Sequence, residues 1–230
     1  MNEARSTKHE ARSTKHEERV SLSLRKGPEV KYLSHLDLIR AFEHALRRAR
    51  IPVQYSEGFN PRPRMSFGSA VGVGVTSDDE KIVLELAAHM ASKDVRDALN
   101  SVLPRGIEVL EAEVLPEGTK RIATTGSQFR LTVRGDAAAI HKAVDELLGS
   151  KEIPVTRVRE DRTKETDLRP NLIEARVAGE DDGSVILEIG LRSGDSGGAS
   201  PQDFVQALQG RVPNLVLVSM HRVRQLTENT

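Results

Sequence analysis

The sequence predicts an α+β fold made of two ferredoxin-like βαββαβ units in tandem. Three observations carry this expectation. The apolar periodicity switches between two and 3.6 residues in the order β-α-β-β-α-β, and that order occurs twice. The 230 residues suffice for two small units that each bury a core. A polar joint from Pro116 to Arg121 separates the two runs. Residues 1–18 then form a disordered tail, 19–119 the first unit and 120–230 the second.

The tail carries the heptapeptide EARSTKH at residues 3–9 and again at 10–16. Neither copy has an apolar seam for a coiled coil, so the repeat reads as disorder. Val20-Ser21-Leu22-Ser23-Leu24 alternates as a half-buried strand. Ser34 with Asp37 reads as a capping box opening a helix. Its apolar stripe is Leu38/Ile39, Phe42, Ala45/Leu46 and Ala49, and Pro52 marks its exit. Val53-Gln54-Tyr55 reads as a short strand, followed by a Gly- and Pro-rich loop to about residue 80. Lys81–Ala87 is a strand, Asp94–Leu103 a helix and Ile107–Leu115 a strand. In the second unit, Gln128–Val133 is a strand, Asp136–Leu148 an amphipathic helix and Ile153–Arg159 a strand. The polar segment EDRTKETDLRPN leads to the strand Leu172–Val177. The Asp182-Gly183 turn then joins it to Val185–Leu191. Pro201 opens a helix and Leu215–Leu226 closes the unit.

Composition removes whole classes of chemistry. There is no cysteine, which excludes disulfides, thiolate zinc, a cysteine nucleophile and a cysteine-ligated cluster. No run reaches the roughly 18–20 apolar residues of a membrane span, and no signal-peptide core is present. A cytoplasmic protein without membrane contact is expected. His35 and His44 lie nine residues apart on one helix, about 13.5 Å, too far to share a metal. His89, His141 and His221 show no ligand spacing, and Asp78-Asp79-Glu80 reads as a solvated turn. Gly72 and Gly74 make neither a dinucleotide fingerprint nor a P-loop. Neither a metal nor a cofactor is expected.

Charge is balanced overall, 34 Lys+Arg against 34 Asp+Glu, but not locally. Segment 19–64 holds ten Lys/Arg against Glu29, Asp37, Glu43 and Glu57, a net of +6. Five of the seven Phe and Tyr (Tyr32, Phe42, Tyr55, Phe59, Phe67) crowd into 36 residues there. Arg40, His44, Arg47 and Arg48 share the helix face opposite Phe42 and Leu46. Tyr55, Phe59, Asn60 and Phe67 are interleaved with Arg62 and Arg64 in the loop that follows. Exposed rings stack on bases and arginines pair with phosphates, so these ten residues are the candidate RNA surface. A solvated helix face with rings buried beneath the loop is the structural alternative. His44, and less so His35, is the candidate for acid–base catalysis at a phosphate. In the second unit, Lys164, Asp167 and Arg169 occupy the corresponding loop. There Asp167 orders the loop with Arg169, or the turn faces the first-unit loop across a cleft.

KYLSHLDL (31–38), ALRRARIPVQYSEGFNPRPRMSF (45–67) and the Asp-Leu-Arg-Pro of 167–170 resemble the radical SAM-linked family, a bacterial domain of unknown function. The resemblance spans roughly residues 19–226, although Gly72 and Gly74 replace a Pro-Leu-containing form and imply a looser loop. It implies a gene beside or fused to that of a radical SAM protein, in the neighbourhood of ribosomal-protein and ribonuclease genes. A radical SAM cluster needs three cysteines. This chain has none, so the resemblance implies the partner of the radical generator and not the generator itself. The expected function is an accessory subunit that recognises substrate, structured RNA such as tRNA or rRNA, for a radical SAM protein. A metal-independent ribonuclease or RNA-modifying enzyme is the alternative, and a pure protein-interaction module a third.

Overall fold

In a computed structural model of the chain, the described residues are 18–116, 119, 124–159, 162–192 and 198–227. The heptapeptide repeat and most of the joint at 116–121 lie outside them. The first half contributes β1 (Glu18–Lys26), α1 (His35–Arg48), β2 (Met65–Phe67), β3 (Val75–Leu86), α2 (Ser92–Asn100) and β4 (Ile107–Val114). The second contributes β5 (Thr124–Arg134), α3 (Ala137–Gly149), β6 (Pro154–Arg159), β7 (Arg162–Asp167), β8 (Leu172–Asp181), β9 (Ser184–Arg192), α4 (Pro201–Gln209) and β10 (Val216–Thr227).

Local chemistry accounts for these elements. Val20, Leu22 and Leu24 point inward from β1 while Ser21 and Ser23 face outward. Ser34 and Ser200 open α1 and α4 with complete capping boxes to Asp37 and Asp203, and Asp136 caps α3. Asp182 and Gly183 take φ of 43° and 68°, the left-handed pair that a tight hairpin between β8 and β9 requires.

The protein is a mixed α+β structure, with one large mixed sheet and four α-helices among the described residues. Eight strands run β4-β1-β3-β10-β5-β9-β8, with β2 also on β3. Within the first half every pairing is antiparallel, β1 with β3 and β4, and β2 with β3. The second half has the same arrangement, β5 with β10 and β9, and β8 with β9. The halves join where β10 runs parallel to β3 over three pairs, Met220↔Val75, His221↔Thr76 and Arg222↔Ser77. The outer edges of the sheet are β4 and β8, and β6–β7 is a separate ribbon. Each half buries its own cluster, one around Phe42, Leu22 and Leu99, the other around Phe204, Leu131 and Ile140. Both clusters lie on one face, because alternation carries Leu24 and Lys26 across to Ser77, Arg222 and Met220.

Three expectations are corrected. Asp78, Asp79 and Glu80 do not form a solvated turn; they lie inside β3, which begins at Val75 rather than Lys81. Their partners are distant in sequence, so the run looks solvated when read alone. Val53-Gln54-Tyr55 is not a strand but two isolated bridges, Val53↔Leu86 and Tyr55↔Pro63, because prolines interrupt pairing on both sides. The polar RTKETD of the expected connector is β7, paired along its length with β6.

Those partners build the seam. Arg222 is 1% exposed, and its Nη2 donates to Glu80 and to the Asp79 carbonyl. Its Nε donates to Ser77 Oγ at 3.2 Å and its Nη1 to the Ser69 carbonyl. Lys26, also buried, donates to the Leu33 carbonyl at 3.1 Å. Burial pulls the Lys26 ammonium below its ordinary range; Glu80 opposes that fall and Arg222 adds to it. Asp79 accepts the Gln225 N–H at 2.7 Å and pairs with Lys81 at 2.8 Å. On the open face, Asp78 holds Arg25 at 3.1 Å and His221 at 3.2 Å.

Removing one member of a buried pair strands the other, at about 3–5 kcal/mol, whereas an apolar pair of similar size is close to neutral. Glu80→Ala should therefore lower unfolding stability by about 3–5 kcal/mol in urea titration. The double variant Glu80→Leu/Arg222→Met should recover most of that loss. Equal losses in both would show that the charges themselves hold the seam.

Candidate nucleic-acid interface

Helix α1 separates its side chains as its period dictates. Leu38, Phe42, Ala45 and Leu46 are buried, and Arg40, His44, Arg47 and Arg48 are exposed. The capping box fixes the start of the helix; the Ser34 hydroxyl and backbone N–H hold the Asp37 carboxyl below the usual carboxylate range.

The following loop is anchored to the end of β3. Gln54 N–H donates to the Glu85 carbonyl at 2.8 Å, and Glu85 N–H to the Arg64 carbonyl at 3.1 Å. Arg64 N–H donates to the Gln54 carbonyl at 2.7 Å, so the two arms close on each other. Ser56 N–H reaches the Arg62 carbonyl at 2.8 Å, and Arg62 N–H returns to Ser56 Oγ at 3.0 Å. Between these ties Gly58 turns the chain at φ 119°, a region costly for a residue with Cβ. Phe59 stands at the tip with a relative exposure of 107%, and Asn60 beside it is exposed. Tyr55 is 44% exposed.

The loop lies against α1. Arg62 Nη1 approaches Glu43 at 3.7 Å, while Arg64 pairs with Glu85 at 3.4 Å and Arg40 with Asp37 at 3.5 Å. The arginine side of each pair is exposed, so each is worth about 1 kcal/mol and leaves its guanidinium open to a phosphate. Arg47 donates Nε to the Glu43 carbonyl at 3.1 Å, and Arg48 donates Nη1 to the Val102 carbonyl at 3.4 Å.

One expected member does not belong to this exposed surface. Phe67 sits in β2, half-buried, with its ring edge-on to Phe42 at 6.2 Å and to His35 at 5.2 Å. It packs because β2 is pinned to β3 at Phe67↔Ile82 above the first core. His35 is accordingly the first helical residue and braces that ring. His44 is exposed and has no hydrogen-bond partner among the described residues, so nothing orients it as a base.

The hydrogen bonds of Asp167 and Arg169 are local to their own turn. Asp167 Oδ1 accepts the N–H groups of Ile153 at 2.7 Å and Arg169 at 2.9 Å. Arg169 donates to the carbonyls of Ser150 at 3.1 Å and Leu172 at 3.2 Å. All these bonds lie within the second half and order its turn. Lys164 is exposed on β7, opposite Arg157. Among the described residues, no group of three His, Asp or Glu side chains could hold a metal, and no helix is long and apolar enough to cross a membrane.

Two exposed residues, one on either side of α1, are left out of the surface by the sequence analysis. Tyr32 is 72% exposed, with Lys31 Nζ 5.1 Å from its ring centroid. Arg50 follows the α1 cap with φ 53°. Ile51 N–H reaches the Leu46 carbonyl at 3.1 Å and Arg50 N–H the Arg47 carbonyl at 3.2 Å, so Arg50 fills the place where helix ends favour glycine. A left-handed residue with a Cβ costs about 1–2 kcal/mol. The other non-glycine residues at positive φ, Asp182 and Asn214, are of the type that tolerates it.

The model of a family described as an uncharacterized protein conserved in bacteria (DUF2344) matches residues 19–214. No curated protein matches the sequence. Among solved structures, the chain is similar to one chain of a Cbf5-Nop10-Gar1 complex, at 11% identity and a TM-score of 0.51. That match covers 92% of this chain and 50% of the other. It is also similar to a chain of an H/ACA RNP bound to a substrate RNA containing 2'-deoxyuridine, at 10% identity and a TM-score of 0.49, covering 91% and 49%. The present chain thus spans about half the length of the chains it matches, and the likeness is one of fold.

Phe59 and Phe67 should separate in stability. Phe59→Ala should change unfolding stability by no more than about 0.5 kcal/mol, as solvated positions do. Phe67→Ala should cost about 2–4 kcal/mol through loss of its contacts with Phe42 and His35. Chemical denaturation of both variants checks this, and comparable losses would place Phe59 in the core.

Proposed function

The chain belongs to this bacterial family, and from that premise we propose that it recognises RNA through the exposed face of α1 and the loop Tyr55–Arg64. The observation that carries the reading is Phe59, a ring standing wholly in water on a loop tied down on both sides. Base stacking on such a ring is worth about 1–3 kcal/mol and takes an unpaired base. Arg40, Arg47, Arg48, Arg62 and Arg64 supply cations for the phosphates beside it, and Tyr55 and Asn60 flank the stack. The target class is therefore structured RNA, of the tRNA or rRNA kind, that presents an unpaired base in a loop or bulge.

Each half is read as a ferredoxin-like unit, 19–119 and 120–230, with β6–β7 as an insertion in the second. The shared antiparallel orders β4-β1-β3-β2 and β10-β5-β9-β8 support that reading. The resemblance to the radical SAM-linked family adds a radical SAM protein as the partner, with the cysteine-free chain as the recognition subunit. The chain is read as a binder because neither His35 nor His44 faces a second titratable group in hydrogen-bond reach among the described residues.

Binding of an RNA stem-loop should weaken steeply with salt, by about −0.7 in log–log slope per single-strand phosphate contact. Arg62→Ala/Arg64→Ala should flatten the slope by roughly one to two units. Phe59→Ala should cost about 1–3 kcal/mol at an unchanged slope. A fully paired duplex of equal length should bind more weakly, and the RNA should remain intact in EDTA. Equal binding of duplex and stem-loop, or RNA cleavage lost in His44→Ala, would overturn the reading. Capture of a radical SAM protein from native cells tests the partner.

A further inference from the structure

We infer that the C-terminal end of α1 is a dedicated phosphate-binding site for the RNA backbone, formed by Arg47, Arg48 and Arg50. The inference rests on the RNA-recognition reading and assigns the phosphate contacts within that surface. Arg40, Arg62 and Arg64 each have a carboxylate within 4 Å. Among the described residues no carboxylate pairs with Arg47, Arg48 or Arg50, and all three are exposed. Residues 47–50 thus carry three guanidinium groups without a carboxylate partner among the described residues.

The helix dipole explains part of this cluster. Arg47 and Arg48 lie in the last turn, where the partial negative charge of the carbonyl ends favours cations. It does not explain Arg50. That residue lies past the cap in the left-handed region, where glycine would complete the same motif without a clash at Cβ. The motif itself is intact, with Ile51 and Leu46 buried beneath it. An arginine held there against its backbone preference contributes a charge, since its side chain bonds to nothing among the described residues.

Arg47 and Arg48 are positioned in advance. Each is held by a single side-chain bond to a carbonyl, Glu43 at 3.1 Å and Val102 at 3.4 Å. Each guanidinium has five N–H groups, so most remain for a ligand. Phosphate oxygens accept such donors in pairs. The Arg62–Glu43 contact brings the loop to the turn that also carries Arg47, so phosphates at this end and a base on Phe59 share one surface.

Arg50→Gly tests this, because it removes the charge and relieves the backbone together. A labelled RNA stem-loop is titrated at several salt concentrations against wild type, Arg50→Gly and Arg50→Lys, and each variant is melted. In Arg50→Gly the melting temperature should hold or rise while affinity falls roughly three- to tenfold and the salt slope flattens by about 0.7. Arg50→Lys should keep the wild-type slope. Binding and slope unchanged in Arg50→Gly would overturn the assignment while wild-type binding upheld RNA recognition. A melting temperature several degrees lower in Arg50→Gly would also overturn it, by giving Arg50 a structural role. Displacement of RNA by millimolar inorganic phosphate at constant ionic strength would assign the site to the free anion instead. No binding of wild type to RNA under any condition would remove the underlying reading itself.

Discussion

Arg222 brings a guanidinium into the interior at the point where the two halves of the sheet meet, and the continuity of the fold depends on how it is satisfied. A charge withdrawn from water is tolerable only with a counter-charge and a full set of acceptors. Glu80 supplies the first, and Ser69, Ser77 and Asp79 supply the second. These groups come from β3 and the loop after β2, so one side chain on β10 ties three segments together. The parallel contact between the halves is only three residue pairs long. Its position is fixed by this network, since a slip of one residue would turn Arg222 to the opposite face.

The candidate interface inherits that rigidity. Its loop is held by backbone bonds to Glu85 at the end of β3, the strand that carries Glu80 and Ser77 nearer its start. The loop after β2 crosses from Gly68, bonded to the Lys81 carbonyl, to Gly74, bonded to the Lys31 carbonyl just before α1. The helix and the aromatic tip are therefore fixed to one strand. A ring presented on a braced loop loses little conformational freedom on binding, and the ordering cost that weakens flexible sites is reduced.

Much of this was legible in sequence wherever the signal was local. The boxes Ser34–Asp37 and Ser200–Asp203, the Asp182-Gly183 turn and the alternation of β1 announce themselves within a few residues. The polar face of α1 follows from a 3.6-residue period, while the Gly-Pro loop leaves open whether Phe59 is exposed or buried beneath it. What could not be read was non-local. Asp78-Asp79-Glu80 looks like a solvated turn until His221, Arg222 and Gln225 arrive more than 140 residues later. Phe67 looks like its neighbour Phe59 until β3 pins it over Phe42. Arg50 is one more arginine in a basic run until its φ is known.

The outer strands gain a second meaning from the way the seam is made. The halves are joined by adding one backbone ladder to another, and the same reaction could add one molecule to the next. β4 exposes Glu108, Glu111 and Glu113, and β8 exposes Glu174, Glu180 and Asp181. Charges along an open ladder discourage further strands from docking. Among the described residues the exposed charged side chains of both outer strands are mostly acidic, with Arg176 the exception on β8, so like charge opposes border-to-border docking. The same chain that adds one ladder to another internally thus carries on its outer strands the side-chain chemistry that opposes repeating that addition between molecules.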